Sequence, residues 1–309
     1  MRLPSVFFQL VFHCRGIRSR LVLLGTAVVL TASSLGTAQV EAPGEPVGIP
    51  GANIPSWGGV DLVPGRFGRP VKTVPKTPAV LILHGSGGVD GRGAFYAKAL
   101  QEAGIATLEI TMFPPGGRPK EGLRATMPYA AAALKWLAGQ PSVDGQRLGV
   151  MGFSWGGGMS LWMASETVQE RLGKDVPKPV AFAPLYPVCS NIVQAMSKPS
   201  WNSALYNSQR SMRAVPMLIQ LGTRDDYEKG KRPCDALIAL WPAAAREWLT
   251  VRYFEGATHG FDMQTPATRF YDKLADAGHG GMVNAAPNPA AAAEARKNVV
   301  SFFIKYLKP

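Results

Sequence analysis

The sequence RLGVMGFSWGGG, at positions 147–158, is the most informative stretch of this 309-residue chain. An apolar run of strand length, 147–153, precedes a stretch with helical spacing, 155–172, and Ser154 lies at their junction. The pattern G-x-S-x-G puts a serine on a sharp turn between a strand and a helix, with its hydroxyl above the sheet edge. The pattern alone is weak evidence, but a strand before it and a helix after it make it strong.

The segments around this turn alternate between short apolar runs and amphipathic stretches. Such alternation implies βαβ crossovers and a mostly parallel sheet with helices on both faces. We therefore expect an α/β fold formed by one domain over residues 79–309. The predicted strands are 79–83, 105–110, 147–153, 179–184, 215–221 and 249–254, and the predicted helices are 93–103, 124–138, 155–172, 233–246 and 290–307.

The segments expected outside these elements are rich in Pro and Gly or lack periodicity. Residues 39–78 form a Pro/Gly-rich lead-in that we expect to be mostly loop, with short edge strands near 60–63 and 71–74. Two further loops, 186–213 and 262–289, are long. Long loops on a sheet of this kind often shape a binding cleft.

The first 38 residues have the composition of a secretory signal peptide. They hold four arginines and no acidic residue, with an apolar core at 21–30 and small residues, Gly36 and Ala38, before a cut after Ala38. The apolar core is short for a membrane span of about 20 residues. We expect a signal peptide at 1–38 and a periplasmic or secreted protein with no stable membrane association after cleavage; an uncleaved membrane anchor is the alternative.

The charge of the chain does not favour a nucleic-acid partner. Lys and Arg total 33 against 21 Asp and Glu, and 29 basic residues remain once the predicted signal is removed. These are spread along the chain, whereas a nucleic-acid site would cluster them. A mildly cationic, solvated surface explains the excess, and the 46% of hydrophobic residues suffice for a sizeable core.

The cysteines predict one disulfide. Cys14 lies in the predicted signal, which leaves Cys189 and Cys234 as an even pair in an exported protein. Disulfides persist in such compartments, so we expect these two to be bonded, with two separate buried thiols as the alternative. Their spacing fits no zinc motif, and we expect no metal site.

A base and an acid for Ser154 can be found further along the chain. A serine hydroxyl is a weak nucleophile near pH 7 and needs a base within reach, which a third group must orient. His259 follows the predicted strand 249–254, and Asp225 follows the strand before it. The neighbouring Asp226 is an alternative on spacing alone. The order Ser, Asp, His on an α/β pattern predicts a catalytic triad of these residues.

The loop HGSGG at 84–88 follows the first strong strand. Acyl transfer builds negative charge on a carbonyl oxygen, and backbone N–H groups of a Gly-rich loop and of the residue after the nucleophile can receive it. We assign this oxyanion hole to the amides of Trp155 and Ser86, with Gly87 as the alternative. His84 is then expected to be a structural hydrogen-bonder. A phosphate loop is not favoured, because no G-K-[ST] follows.

Four motifs, LHGSGG at 83–88, MGFSWGG at 151–157, LGTRDD at 221–226 and THGFD at 258–262, occur in this order. The combination resembles the dienelactone hydrolase family of α/β hydrolases, over about residues 75–309. The resemblance implies the α/β-hydrolase fold. It also implies a nucleophile in the second motif, an orienting acid in the third and a base in the fourth.

Residue by residue, the resemblance implies that Ser154 is the nucleophile and His259 the base. In the family the acid stands three residues past a glycine, which favours Asp225. The founding lactone-cleaving members carry cysteine at the nucleophile and an arginine shortly after the histidine, where this chain has Met263. Arg118 is the candidate for a second arginine of the family. The chain looks more like exported, serine-bearing relatives, whose segments corresponding to PLYPVC and RPC also resemble a disulfide pair.

These expectations together describe an exported serine hydrolase that cleaves a small-molecule carboxylic ester or lactone through an acyl-enzyme, without metal or organic cofactor. A peptidase or acyltransferase with the same triad, or a non-catalytic exported binding protein on the same scaffold, is the alternative. The sequence does not indicate an oligomeric state. The expected substrate-binding residues are Trp57, Phe113, Arg118 and Tyr227.

Overall fold

The computed structural model describes residues 42–55, 57–72, 75–114, 117–196, 208–228, 232 and 234–308. The predicted signal peptide at 1–38 lies outside these residues. Among the helices of the described chain, none is both long enough and apolar enough to cross a membrane.

Twelve strands and nine α-helices occur in the described parts of the chain. The strands are β1 (Glu45–Pro50), β2 (Asn53–Ile54), β3 (Gly58–Gly59), β4 (Leu62–Gly68), β5 (Thr77–Leu83), β6 (Ala106–Ile110), β7 (Val143–Phe153), β8 (Ala181–Leu185), β9 (Met217–Gly222), β10 (Leu249–Phe254), β11 (Thr268–Asp272) and β12 (Gly281–Ala285). The helices are α1 (Arg92–Glu102), α2 (Met127–Ala138), α3 (Trp155–Met163), α4 (Glu166–Leu172), α5 (Cys189–Met196), α6 (Asp235–Ile238), α7 (Ala243–Arg246), α8 (Ala275–Gly278) and α9 (Pro289–Leu307).

The central sheet has the strand order β1-β4-β6-β5-β7-β8-β9-β10. Its strands from β6 to β10 are parallel, whereas β4 pairs antiparallel with β6 and β1 antiparallel with β4. This confirms the expected mostly parallel α/β fold. The pairing registers place Leu83 beside Gly152, Phe153 beside Leu185 and Gly222 beside Phe254. The carboxyl ends of neighbouring strands therefore meet along one edge of the sheet.

Both faces of the sheet are covered, as a parallel sheet requires. All seven residues of β5 are buried. Leu81 belongs to a core cluster that includes Leu134 of α2 and Trp162 of α3, on one face. Its neighbour Ile82 belongs to a second cluster that includes Tyr96 of α1 and Phe303 of α9. Since successive strand residues point to opposite faces, the two clusters are the two layers of the core.

The lead-in at 39–78 is more ordered than expected, because β4 and β1 extend the central sheet at its β6 edge. Val63 and Phe67 of β4 are buried in the core, and the Arg66 side chain donates to the carbonyl of Ala42. The edge strand expected near 60–63 begins only at Leu62. The one expected at 71–74 is wrong at 71–72, which lie in a bend, and 73–74 lie outside the described residues.

Two predicted helices are interrupted. The helix expected at 155–172 breaks at Ser165, whose backbone is extended and whose hydroxyl donates to the carbonyl of Ser208. The helix expected at 233–246 forms two short ones, α6 and α7, with Pro242 as the N-cap residue of the second. The long loops also contain regular structure, namely α5 in the first and the antiparallel pair β11–β12 with α8 in the second.

The approach of α3 to the sheet leaves no room for side chains at its first turn. A Cβ atom on Gly156 would lie 2.2 Å from the carbonyl oxygen of Leu83, at the end of β5. A Cβ atom on Gly152 would lie 2.3 Å from the carbonyl oxygen of Gly156. Both contacts are with backbone, which cannot rotate away, so glycine is required for helix and strand to pack at this distance.

We expect Gly156→Ala to lower the free energy of unfolding by about 1–3 kcal/mol, the usual cost of overpacking. Gly158→Ala, two residues on in the same helix, is the control, because its Cβ would meet only the flexible Leu123 side chain at 3.2 Å. Urea unfolding of both variants with the disulfide intact measures the difference. Equal stabilities would contradict the backbone clash.

Candidate active site

Ser154 stands on a strained turn between β7 and α3. Its φ of 50° and ψ of −101° lie in a region that residues with a side chain rarely adopt. The turn is held on both sides, since the amide of Ser154 donates to Leu185 in β8 and the amide of Gly156 donates to the carbonyl of His84. These bonds fix the hydroxyl above the carboxyl edge of the sheet.

His259 and Asp225 lie at the same edge, each on the loop that follows a strand. The hydroxyl of Ser154 lies 2.9 Å from Nε2 of His259, and Nδ1 of His259 lies 2.7 Å from Oδ2 of Asp225. The other oxygen of Asp225 accepts the amide of Tyr227 at 3.0 Å. A proton on Nδ1, held by the carboxylate, leaves Nε2 free to accept the serine proton.

Asp226, the alternative acid, points elsewhere. Its carboxylate accepts the backbone N–H of Asn284 at 2.8 Å and the side-chain amide of Asn284 at 2.9 Å. It therefore holds β12, in the two-stranded sheet β11–β12, against the loop after β9. The structure thus places Asp225, and not its neighbour, beside His259.

A buried polar network that the sequence did not predict supports the His259 loop. The ring of Tyr186 lies edge-on to His259, with centroids 4.9 Å apart. Asp262 accepts the hydroxyls of both Tyr186 and Tyr96, and Arg92 donates to the Tyr186 hydroxyl at 3.0 Å. Burial raises the pKa of Asp262, while the Arg92 charge and the tyrosine hydroxyls oppose that shift. The signal in the sequence was slight: Asp262 ends the THGFD motif, but nothing pointed to its partners.

The Gly-rich loop after β5 is organised by His84. Its Nδ1 donates to the carbonyl of Gly85 at 2.7 Å, and its Nε2 accepts the amide of Met112 at 2.9 Å. Burial lowers the pKa of His84, which fits a neutral ring with a structural role. Ser86 borders the cavities at Ser154. Trp155, as the first residue of α3, has an N–H group for which a helix provides no internal acceptor.

Two cavities meet at Ser154. Both are also bordered by Ser86, Arg118, Tyr227 and Asp272. The small pocket, of about 150 Å³, is also lined by Leu123, Trp155, Gly158, Val188 and Ile192. The wide cleft, of about 500 Å³, is also lined by Gly87, Asp90, His259, Met263 and Phe270.

The four residues expected to bind substrate divide into two pairs. Arg118 and Tyr227 border both cavities, and the Tyr227 hydroxyl donates to Asp272 at 2.9 Å. Phe113 and Trp57 are not among the residues that line either cavity. Phe113 packs edge-on against the ring of Trp155, with centroids 5.5 Å apart, and Trp57 is buried in the core. Aromatic side chains in a lead-in or loop pack on the core as readily as they face a cleft, and sequence could not separate the two.

The disulfide predicted between Cys189 and Cys234 is present, and it ties the start of α5 to the start of α6. The next residue, Ser190, donates its amide at 2.9 Å and its hydroxyl to the carboxylate of Glu228. The amide of Glu228 in turn donates to the carbonyl of Asp225 at 3.0 Å. Burial raises the pKa of Glu228 to about 8, against the lowering effect of the Ser190 donors.

The largest cavity near the site does not reach the serine. It measures about 580 Å³ and is lined by Asp225, Asp226, Glu228 and Asp276 but by neither Ser154 nor His259. In the described parts of the chain, no group of three or more His, Cys, Asp or Glu side chains is arranged to hold a metal ion.

The strand order of the central sheet and the serine turn after β7, the fifth strand across that sheet, together define an α/β hydrolase. The family model of the dienelactone hydrolase family matches residues 63–307. The chain therefore belongs to the dienelactone hydrolase family and is a carboxylic ester hydrolase of that type. The match begins in β4, within the lead-in, earlier than the motifs indicated.

Solved structures with the same fold include the following three. Est1E from Butyrivibrio proteoclasticus has a TM-score of 0.55 at 16% identity, covering 83% of this chain and 98% of its own. Esterase 2 of Thermogutta terrifontis phosphorylated by paraoxon has a TM-score of 0.59 at 18% identity, covering 84% and 97%. A dienelactone hydrolase from Anabaena variabilis has a TM-score of 0.50 at 19% identity, covering 85% and 99%. A search of curated protein sequences gives no significant match.

The raised pKa of Glu228 predicts a pH-dependent stability. A buried carboxyl that stays protonated in the folded state contributes stability that is present below its ordinary pKa near 4.5 and lost as pH rises to about 8. We expect the free energy of unfolding of the wild type to fall over this range relative to Glu228→Gln, as measured by urea unfolding. Exposed Glu247→Gln is the control and should follow the wild type. A Glu228→Gln variant with the wild-type pH profile would refute this reading.

Proposed function

We propose that this protein is an exported serine esterase in which Ser154, His259 and Asp225 form a catalytic triad. The observation that carries the proposal is the chain of two short contacts, 2.9 Å from the serine hydroxyl to Nε2 and 2.7 Å from Nδ1 to the carboxylate. Its substrates are small-molecule carboxylic esters or lactones, in line with the family to which the chain belongs.

In the proposed reaction Ser154 attacks the ester carbonyl while His259 takes the serine proton. The amides of Trp155 and Ser86, with Gly87 as the alternative to Ser86, receive the negative charge on the carbonyl oxygen. His259 then gives its proton to the departing alcohol, which leaves an acyl group on Ser154. Water, activated by the same imidazole, releases the acid, and Asp225 stabilises the imidazolium in both halves.

Compounds named with the structurally similar proteins support an ester substrate. Thermogutta terrifontis Est2 is described with propionate and with butyrate bound, and Est1E is described with ferulic acid bound. Propionate, butyrate and ferulic acid are all carboxylic acids, the kind of product that ester hydrolysis releases. A similar chemistry for this chain rests on its shared fold and on the serine, histidine and aspartate at the carboxyl edge of its own sheet.

Export is the second part of the proposal. Its support is the sequence of residues 1–38 together with the Cys189–Cys234 disulfide. Structural disulfides persist in oxidising compartments and are rare in the cytosol.

A fluorophosphonate probe tests the triad. We expect stoichiometric labelling of the wild type and none of Ser154→Ala, and a loss of ester turnover by several powers of ten in Ser154→Ala and His259→Ala. Asp225→Asn should lose far more turnover than its matched control Asp226→Asn, which keeps an oxygen to accept from Asn284. An unlabelled wild type would favour a binding protein, and the reverse order of the two Asn variants would move the acid by one position.

Export predicts a mature chain that begins at Gln39 and carries one disulfide. Intact-mass measurement and amino-terminal sequencing of protein recovered from the periplasm of a bacterial host test both points, because reduction should add the mass of two hydrogens. A full-length chain in the membrane fraction would show an uncleaved anchor, and two free thiols in the periplasmic protein would contradict a stable disulfide.

A further inference from the structure

The two cavities at Ser154 differ in whether the proposed base, His259, lies in their wall. His259 borders the wide cleft and is absent from the wall of the small pocket. In ester cleavage the base must protonate the oxygen of the departing alcohol, so that oxygen has to lie within hydrogen-bond distance of Nε2. The alcohol half of the ester therefore extends into the cavity that His259 borders, and the acyl half into the other.

We propose that the preferred substrates are esters of a short apolar acid with a bulky alcohol that presents an apolar face, the acid in the small pocket and the alcohol in the wide cleft. This inference rests on the proposed function and adds the substrate class to it. The opposite placement would put the leaving oxygen on the side where no imidazole can protonate it.

The dimensions of the small pocket favour a short acyl chain. Its volume of about 150 Å³ is below the roughly 300–1,000 Å³ of pockets that enclose drug-sized ligands. Its walls include the side chains of Leu123, Val188 and Ile192, and the last is buried in the core and cannot easily move aside. An apolar chain of a few carbons fits these walls, whereas a long one meets packed side chains.

The wide cleft has the volume for a bulky group, about 500 Å³, and an aromatic wall. That wall is supplied by β11, from which Thr268, Phe270, Tyr271 and Asp272 line the cleft. Phe270 and Asp272 are two residues apart and share one face, which is directed toward the triad because Asp272 accepts the Tyr227 hydroxyl. Phe270 is 41% exposed there, an aromatic ring available to stack against an apolar group.

The wall is fixed relative to the triad. Asn284 of β12 donates twice to Asp226, the residue after the triad acid, and the amide of Asp276 donates to the Asp226 carbonyl at 2.8 Å. The Tyr227 hydroxyl holds β11 in the same way. The strand pair that carries Phe270 is thus attached to the loop that carries Asp225, and the distance between ring and nucleophile is set by these bonds.

Two ester series, measured on the wild-type protein, test this partition, in which the acid occupies the small pocket and the alcohol the wide cleft. Acetate esters of ethanol, benzyl alcohol and naphthylmethanol vary the alcohol at nearly constant leaving-group acidity, and benzyl esters of acetic, butyric, hexanoic and decanoic acids vary the acid. We expect kcat/KM to rise with the size of the alcohol and to fall about tenfold or more beyond the short acids.

Variants then separate the two cavities. Leu123→Ala should raise kcat/KM for the hexanoate relative to the acetate by about tenfold and leave the alcohol series unchanged. Val188→Ala serves as a second enlargement of the same pocket should Leu123→Ala fold poorly. Phe270→Ala should lower the preference for naphthylmethyl over ethyl acetate by about tenfold and leave the acid series unchanged. Arg269→Gln, exposed on the other face of β11, is the matched control and should alter neither series.

The outcomes are distinguishable from a failure of the proposed function. Turnover with long acids preferred and bulky alcohols rejected, or a Phe270→Ala effect on the acid series, would overturn the partition while leaving the esterase intact. No turnover of any ester by the wild type would overturn the esterase and the partition with it.

Discussion

The contact between the first turn of α3 and the end of β5 is the constraint on which the site depends. With no side chain at Gly156, the helix backbone comes close enough for its amide to bond the carbonyl of His84. The same approach holds Ser154 at a positive φ that a serine would not adopt by itself. It also brings the start of the helix beside the Gly-rich loop, so that Ser86, Ser154 and Trp155 border a common cavity. Any change that moves the helix outward separates all of them at once.

The remaining candidate residues, His259 and Asp225, reach this region because the strands are parallel. The registers between β5, β7 and β8 and between β9 and β10 align their carboxyl ends, and each candidate residue follows one of these ends within a few positions. Beneath them Asp262 accepts the hydroxyls of Tyr96 and Tyr186, while Arg92 donates to the Tyr186 hydroxyl and forms its ion pair with Asp90. A buried polar network of this kind contributes little net stability compared with an apolar core, and its value lies in holding one conformation. Here that conformation is the orientation of the His259 loop.

The sequence predicted those parts of the molecule that short-range patterns encode. The strand β5 is fully buried and is apolar from residue 78 to residue 83, and the serine turn carries its glycines beside it. The wrong or missing parts depend on distant partners: β1 and β4 are sheet strands in a segment whose Pro and Gly content suggests loop, and Ser165 breaks a helix because Ser208 accepts its hydroxyl. The β11–β12 pair lies in the segment 262–289, which the sequence predicts to be a long loop. Its anchoring hydrogen bonds come from residues distant in the chain, since Tyr227 is 45 residues from Asp272 and Asp226 is 58 residues from Asn284.

The β11–β12 pair is separate from the core of the domain. Its two strands pair with each other and not with the central sheet, and Phe270 contributes to neither core layer. Substitution at this position therefore disturbs neither the packing of the domain nor the contacts among serine, imidazole and carboxylate. Position 270 can therefore accept other residues in the course of evolution, and each of them would reshape the wall of the wide cleft at little cost to folding.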